Sequence, residues 1–134
     1  MDTTGYIDRL LSIASVANDM DALLDKLHGN DVGLGYDYSE PNWRKRIEAS
    51  NEGDRALSKY VAELPLEHLE RIHALMYAGR DRESPSDLKQ SFVRRGIARA
   101  DMERSVAEKR MNLRTYFENA LAQTSAHGVD PNTF

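Results

Sequence analysis

The fold is decided by residues 64–85, LPLEHLERIHALMYAGRDRESP. Pro65 confines the residue before it to extended or turn conformations, so a new element begins after this point. Apolar residues then recur every three or four positions, with Leu69, Ile72 and Met76 on one stripe, flanked by Leu66, His73 and Leu75. This spacing is typical of an amphipathic helix, and we predict a helix from Leu66 towards Gly79.

A polar corner follows this predicted helix. Gly79 comes directly after the apolar run, and we predict that it is the left-handed residue that ends the helix. Ser84 and Pro85 match a serine cap followed by proline in the first turn of the next helix. A turn of this kind explains the glycine but not the arginine that follows it. We therefore predict that Arg80 forms a buried ion pair with a helix-end carboxylate or carbonyl. Gly79, Arg80 and Asp81 are therefore the candidate structural or functional corner.

The helical spacing continues on both sides of this stretch, and no run of strand length alternates between apolar and polar residues. The predicted segments are a long helix capped by Thr3 or Thr4, a loop at 29–39, one bent or two short helices over 40–64, helical segments over 85–97, 98–111 and 112–126, and a flexible tail at 128–134. The predicted fold class is all-α: five to six helices in a small bundle or orthogonal array, forming a single domain over residues 1–134.

The composition is that of a soluble globular protein. The chain has 134 residues, of which 40% are hydrophobic and 30% charged, and it contains no cysteine. The lack of cysteine excludes disulfides, thiolate zinc sites and cysteine nucleophiles. The amino-terminal residues MDTTGYIDRLL have neither the basic start nor the apolar core of a secretion signal, and no apolar run is long enough to span a membrane. We expect a cytoplasmic protein with no membrane partner.

Metal binding and catalysis have only weak signals. Glu70 and His73 are spaced as in one half of a di-iron carboxylate motif, but Glu103 and Glu118 have no histidine three residues later. No Gly-x-Ser-x-Gly elbow is present. We therefore expect no cofactor, no metal and no catalytic residues. The alternative interpretation is a small enzyme or metal-binding protein with a pocket around Glu70, His73, Arg80 and Asp81.

A basic stretch runs from Arg94 to Arg114 and raises the question of nucleic-acid binding. Its cations are Arg94, Arg95, Arg99, Arg104, Lys109, Arg110 and Arg114. Asp101, Glu103 and Glu108 lie among them, which favours ion pairs within a solvated helix, such as Arg99–Glu103. A nucleic-acid partner is therefore a second alternative and is not favoured.

Three stretches of the sequence occur in a recognisable order: Leu64-Pro65, Ala74-Leu75-Met76-Tyr77-x-Gly79-Arg80-Asp81, and a late Tyr116-Phe117-x-x-x-Leu121 segment. In these stretches the chain resembles a bacterial family of domains of unknown function, the family numbered 3775. The resemblance covers roughly residues 60–128, with Tyr77 where tryptophan is common in the family. The resemblance implies a small helical domain without an assigned activity, and it supplies no catalytic residues.

The favoured function is a protein-binding or regulatory module rather than an enzyme. Tyr36, Tyr38 and Trp43 lie beside an acidic segment, and exposed aromatic residues are good interface anchors. The same side chains are also suited to covering the core. We therefore expect a protein partner or a homo-oligomer, with these three aromatics as the candidate interaction residues.

Overall fold

The computed structural model describes the backbone of residues 1–28 and 41–134 and the side chains of residues 1–23 and 51–134. The described residues form six α-helices. The helices are α1 (Thr3–His28), α2 (Pro41–Glu63), α3 (Leu66–Asp81), α4 (Pro85–Arg94), α5 (Arg99–Glu108) and α6 (Leu113–Ala126), with a 3₁₀ turn at Arg110–Asn112. The described residues contain no strand, and the predicted all-α single domain is confirmed. The segment over residues 40–64 contains one helix, not two.

Helix α3 lies at the centre of the molecule because it is buried on most of its circumference. Five consecutive residues, from Ile72 to Met76, are buried, which is a wider apolar surface than the single predicted stripe. The helix packs against α4, α5 and α6, and makes smaller contacts with α1. Buried apolar side chains of α1, α2, α5 and α6 complete one core around it, among them Ile7, Leu10, Leu57, Val61, Met102, Val106, Leu113 and Phe117.

Gly79 has a different role from the predicted one. The prediction that it ends α3 in a left-handed conformation is wrong, because α3 continues to Asp81 and the left-handed residue is Arg82, with φ of 58°. Gly79 is buried inside the helix, where a Cβ atom would overlap the main-chain carbonyl oxygen of Tyr116 on α6. Glycine is required here for a close approach of two helix backbones, not for a turn.

Arg80 forms an ion pair with Asp81, but the predicted burial is wrong. The Arg80 Nε and Asp81 Oδ1 atoms lie 2.8 Å apart, and the two side chains are 40% and 37% exposed. The pair lies at the surface because the last turn of α3 extends beyond the core. A surface pair of this kind contributes little to stability.

The helix ends are set by local signals. The Ser84 hydroxyl accepts a hydrogen bond from the Asp87 amide at 3.4 Å and Pro85 opens α4, as predicted. At α1 the cap is Asp2 instead of Thr3 or Thr4, since the Asp2 carboxylate accepts from the Gly5 amide at 2.9 Å. Hydrogen bonds from Gly5 and Thr4 hold the pKa of Asp2 below its usual value.

Residues 128–134 pack against the helices. The Asn132 side-chain oxygen accepts from the Thr4 amide at 2.8 Å, and the main-chain oxygen of Phe134 accepts from Lys89 Nζ at 2.8 Å. The flexibility of this tail stays a prediction. None of the described helices combines the length and the apolar character that a membrane crossing requires.

Candidate functional site

Three aromatic rings form a cluster where α3 meets α4. His73 and Tyr77 are one turn apart on α3 and therefore point to the same side of that helix. The His73 ring lies 5.0 Å from Tyr77 and 4.7 Å from Phe92 of α4, and the Tyr77 and Phe92 rings are 5.7 Å apart. These edge and tilted contacts are the arrangements that aromatic pairs prefer.

The end of α4 holds Phe92 in this cluster. The Gly96 amide bonds the Val93 carbonyl at 3.1 Å, and the Ile97 amide bonds the Phe92 carbonyl at 3.3 Å. Gly96 has φ of 63°, so this is the glycine-dependent turn that commonly ends a helix. Such a turn brings the residue after the glycine against the last helical turn, and Ile97 and Phe92 indeed line the same groove.

Three cations surround the aromatic cluster. The Arg95 guanidinium carbon lies 5.2 Å from the centre of the Phe92 ring, and that of Arg80 lies 4.5 Å from the Tyr77 ring. Lys109 Nζ lies 4.8 Å from the Tyr77 ring. These distances are within the range of cation–π attraction. The rings therefore lie within reach of three positive charges.

Lys109 also acts on the Tyr77 hydroxyl. Its ammonium donates to the Tyr77 oxygen at 3.2 Å and to the Ser105 carbonyl at 3.3 Å. Burial raises the pKa of Tyr77, but hydrogen bonds from Ser105 and Lys109 and the charges of Lys109 and Arg80 outweigh it, so the pKa is lowered overall. With its oxygen accepting from Lys109, the hydroxyl keeps its own proton for a different acceptor.

His73 is buried and neutral. It is only 2% exposed, and its Nδ1 atom has no hydrogen-bond partner among the described residues. Burial lowers the pKa of His73 to about 4, with further lowering by the charges of Lys109 and Arg95. An unsatisfied buried polar atom costs about 1–3 kcal/mol, which marks His73 as an unusual core residue.

Two concave surfaces meet at these rings. A groove of about 520 Å³ is lined by Tyr77, Arg80, Asp81, Glu83, Leu88, Arg95, Asp101 and Ser105, together with His73, Phe92 and Ile97. A second cleft, of about 240 Å³, is lined by Leu66, Glu70, Lys89, Val93, Gly96, Arg99 and Met102, and by the same His73, Phe92 and Ile97. We call them the basic groove, after Arg80 and Arg95, and the apolar cleft. Three acids, Asp81, Glu83 and Asp101, also line the basic groove. The two surfaces adjoin at the three shared side chains.

The structure brings together three of the four residues of the predicted enzyme or metal pocket. His73, Arg80 and Asp81 line the basic groove, whereas Glu70 lines the apolar cleft. Glu70 and His73 form no ion pair within the described part of the chain. The described residues also hold no group of three side chains suited to a metal ion. The metal interpretation therefore gains no support.

Most of the basic stretch is engaged in contacts within the protein. Arg99 pairs with Glu103 at 3.3 Å, as predicted, Arg104 pairs with Asp101 at 2.6 Å, and Arg114 pairs with Glu118 at 3.9 Å. Arg110 bridges Asp21 of α1 and Asp54 of α2. These contacts divide the stretch among several faces, so it does not form the continuous cationic surface that phosphate backbones favour.

Tyr36, Tyr38 and Trp43 lie outside the described side chains, and the interaction surface expected there stays a prediction. Four residues of this site were not predicted from the sequence to belong to one: Tyr77, Phe92, Arg95 and Lys109. Their sequence pattern predicts only helix positions or part of the basic stretch. One signal was available in Arg95-Gly96-Ile97, because a glycine after a helical run indicates that the helix ends. At the end of α4, Phe92 and Ile97 line one groove together with residues of α3.

No protein-family model, no curated protein and no solved structure matches the chain. The resemblance to the family numbered 3775 thus stays a prediction.

Proposed function

We propose that this protein is a small helical binding module and that it binds an anionic group, a carboxylate or a phosphate, in the basic groove. The observation that carries the proposal is that Arg95 and Tyr77 line the same groove. Arg95 lines it and forms no ion pair within the described residues, and Tyr77 has a hydroxyl whose oxygen already accepts from Lys109.

The chemistry of these groups favours an anion. Arg95 offers a planar fork of donors that matches carboxylate and phosphate oxygens, and the Tyr77 hydroxyl adds a neutral donor. Arg80 adds a second guanidinium that is shared with Asp81. The acids on the lining are partly compensated, since Asp101 pairs with Arg104. Glu83 remains as the acid that a ligand has to avoid.

The proposed role is binding and not catalysis. Holding an anion requires only donors that face one groove, and Tyr77 of α3 and Arg95 at the end of α4 are such donors. This keeps the binding role expected from the sequence and moves its proposed site from Tyr36, Tyr38 and Trp43 to the basic groove. Resident side chains orient the donors: Lys109 holds the Tyr77 hydroxyl, and the Phe92 ring supports Arg95.

Nuclear magnetic resonance (NMR) titration with inorganic phosphate tests the proposal. At constant ionic strength, with sodium chloride as the balancing salt, phosphate is expected to shift the amide signals around Tyr77, Arg95 and Ser105. Arg95→Gln and Tyr77→Phe are each expected to weaken binding about fivefold, because one exposed charged contact or one hydrogen bond contributes about 1 kcal/mol.

Arg94→Gln is the matched control. It removes the same charge from the neighbouring position, but Arg94 does not line the basic groove. Equal weakening by Arg94→Gln and Arg95→Gln would show a diffuse charge effect and overturn the proposed site. Phosphate-induced shifts that do not map to the groove would overturn the proposal of anion binding there.

A further inference from the structure

We propose that the ligand of the basic groove is an amphipathic anion whose apolar body occupies the apolar cleft while its anionic head meets Arg95 and Tyr77. This inference rests on the proposed function and specifies its ligand class. It joins two surfaces that share His73, Phe92 and Ile97. Because those side chains line both surfaces, one small molecule is able to contact the two at once.

The size of the apolar cleft limits the apolar body. An engineered cavity of about 150 Å³ binds benzene, which has six heavy atoms. At the same volume for each atom, a cleft of about 240 Å³ holds about ten heavy atoms. That number corresponds to a two-ring aromatic system or a medium-length aliphatic chain.

The lining of the apolar cleft suits such a body. Phe92, Ile97 and Met102 supply apolar side-chain surface, and Leu66 and Val93 are large apolar residues left 48% and 59% exposed at its edge. Isolated exposed apolar residues are ordinary at protein surfaces. Here two of them flank the same concave surface, so a ligand that covers them removes apolar area from water.

The charges around the apolar cleft set the orientation of the ligand. Lys89 is engaged with the main-chain oxygen of Phe134 at 2.8 Å, and Arg99 with the Ala62 carbonyl at 3.1 Å. Arg99 also pairs with Glu103. Glu70 adds a negative charge on the same lining and forms no ion pair within the described residues. Both cations of the cleft are thus already engaged, whereas Arg95 on the groove side forms no ion pair within the described residues, so an anionic head is expected to bind at Arg95.

Three probes separate the contributions of head and body. They are 2-naphthoate, which has both, acetate, which has the anionic head alone, and 2-naphthamide, which has the two-ring body without the charge. Burial of about 60 Å² of apolar ligand surface is enough for about a tenfold gain in affinity. We expect 2-naphthoate to bind at least about tenfold more tightly than either of the other two probes.

Val93→Trp tests the cleft without disturbing the core. Val93 is exposed, so the larger side chain is accommodated at the surface and covers the cleft. We expect it to weaken 2-naphthoate binding about tenfold and to leave phosphate binding unchanged. Val16→Trp, at an apolar position 67% exposed on α1, is the matched control and should leave both unchanged.

The outcomes distinguish this inference from the proposed function. If 2-naphthoate binds no more tightly than acetate, or if Val93→Trp has no more effect than Val16→Trp, the amphipathic ligand is excluded while anion binding stands. If 2-naphthamide binds as tightly as 2-naphthoate, the head makes no contribution and the inference also fails. If no anion perturbs the groove, both proposals fail together.

Discussion

At the scale of single residues, Gly79 and Gly96 are required for different physical reasons. Gly79 has helical backbone angles but no space for a Cβ atom, whereas Gly96 has open space and a φ of 63°. We expect Gly79→Ala to lower the free energy of unfolding by about 3 kcal/mol or more, because α3 and α6 have to separate. Gly96→Ala is expected to cost about 1 kcal/mol through backbone strain.

Urea denaturation of the two variants checks this difference. Helix propensity alone predicts the opposite sign for Gly79, since alanine stabilises a helix interior by about 1 kcal/mol relative to glycine. A Gly79→Ala variant as stable as the native protein would show that the contact with Tyr116 does not limit the packing. Failure of that variant to fold, while Gly96→Ala folds, agrees with the expected order.

His73 gives the stability of the protein a defined pH dependence. Its pKa is lowered from 6.5 to about 4 in the folded state, so the unfolded chain binds a proton that the folded protein does not. Its contribution is fully present above about pH 6.5 and is lost as the pH falls towards 4. The free energy of unfolding is expected to decrease by about 2 kcal/mol between about pH 7.5 and pH 5 from this residue.

His73→Leu isolates this effect. The variant removes the titrating ring and the unpartnered Nδ1 atom, so its stability should be flatter between about pH 7.5 and pH 5. Comparing denaturation curves of the variant and the native protein cancels the contributions that the two proteins share. Parallel pH profiles for the two proteins would mean that His73 is not neutral and buried as described.

At the scale of elements, Arg110 connects the 3₁₀ turn to α1 and α2. Its side chain is 10% exposed and pairs with Asp21 and with Asp54, the latter at 2.8 Å. We expect Arg110→Ala to lower the free energy of unfolding by about 2 kcal/mol, because the partly buried Asp21 carboxylate and the more exposed Asp54 carboxylate both lose their partner. Arg114→Ala removes an exposed pair with Glu118 and should cost about 0.5 kcal/mol or less.

Thermal or urea unfolding of both arginine variants measures this contrast. The two positions carry the same side chain four residues apart, so intrinsic differences between arginine and alanine largely cancel. Equal losses would contradict a bridging role for Arg110.

The elements themselves could be predicted from the sequence, but their ends could be predicted only in part. Ser84 and Pro85 start α4 as predicted because the signal is local and requires no tertiary contact. The end of α3 could not be predicted from Gly79, because the glycine is used for contact with α6, a helix more than thirty residues later. Arg82 takes the left-handed position instead, at a cost of about 1–2 kcal/mol.

At the scale of the whole molecule, the candidate site depends on how three helices pack. His73, Arg80 and Asp81 were identifiable because they share one helix. Phe92 and Arg95 join them because α4 packs against α3, and Ser105 joins them because α5 packs against α3 after the turn at Gly96. Sequence spacing carries no information on that tertiary packing, so the all-α fold was predictable and the basic groove was not.

The uneven anchoring of the helices around the groove has a consequence for how the protein responds to a ligand. Helix α3 is clamped by backbone contact with α6, whereas α4 packs mainly against α3 and buries only Pro85. Because detachment of α4 exposes less buried apolar surface than global unfolding does, we expect it to require less free energy. A ligand that contacts both Tyr77 on α3 and Arg95 at the end of α4 is therefore expected to raise the free energy at which α4 detaches.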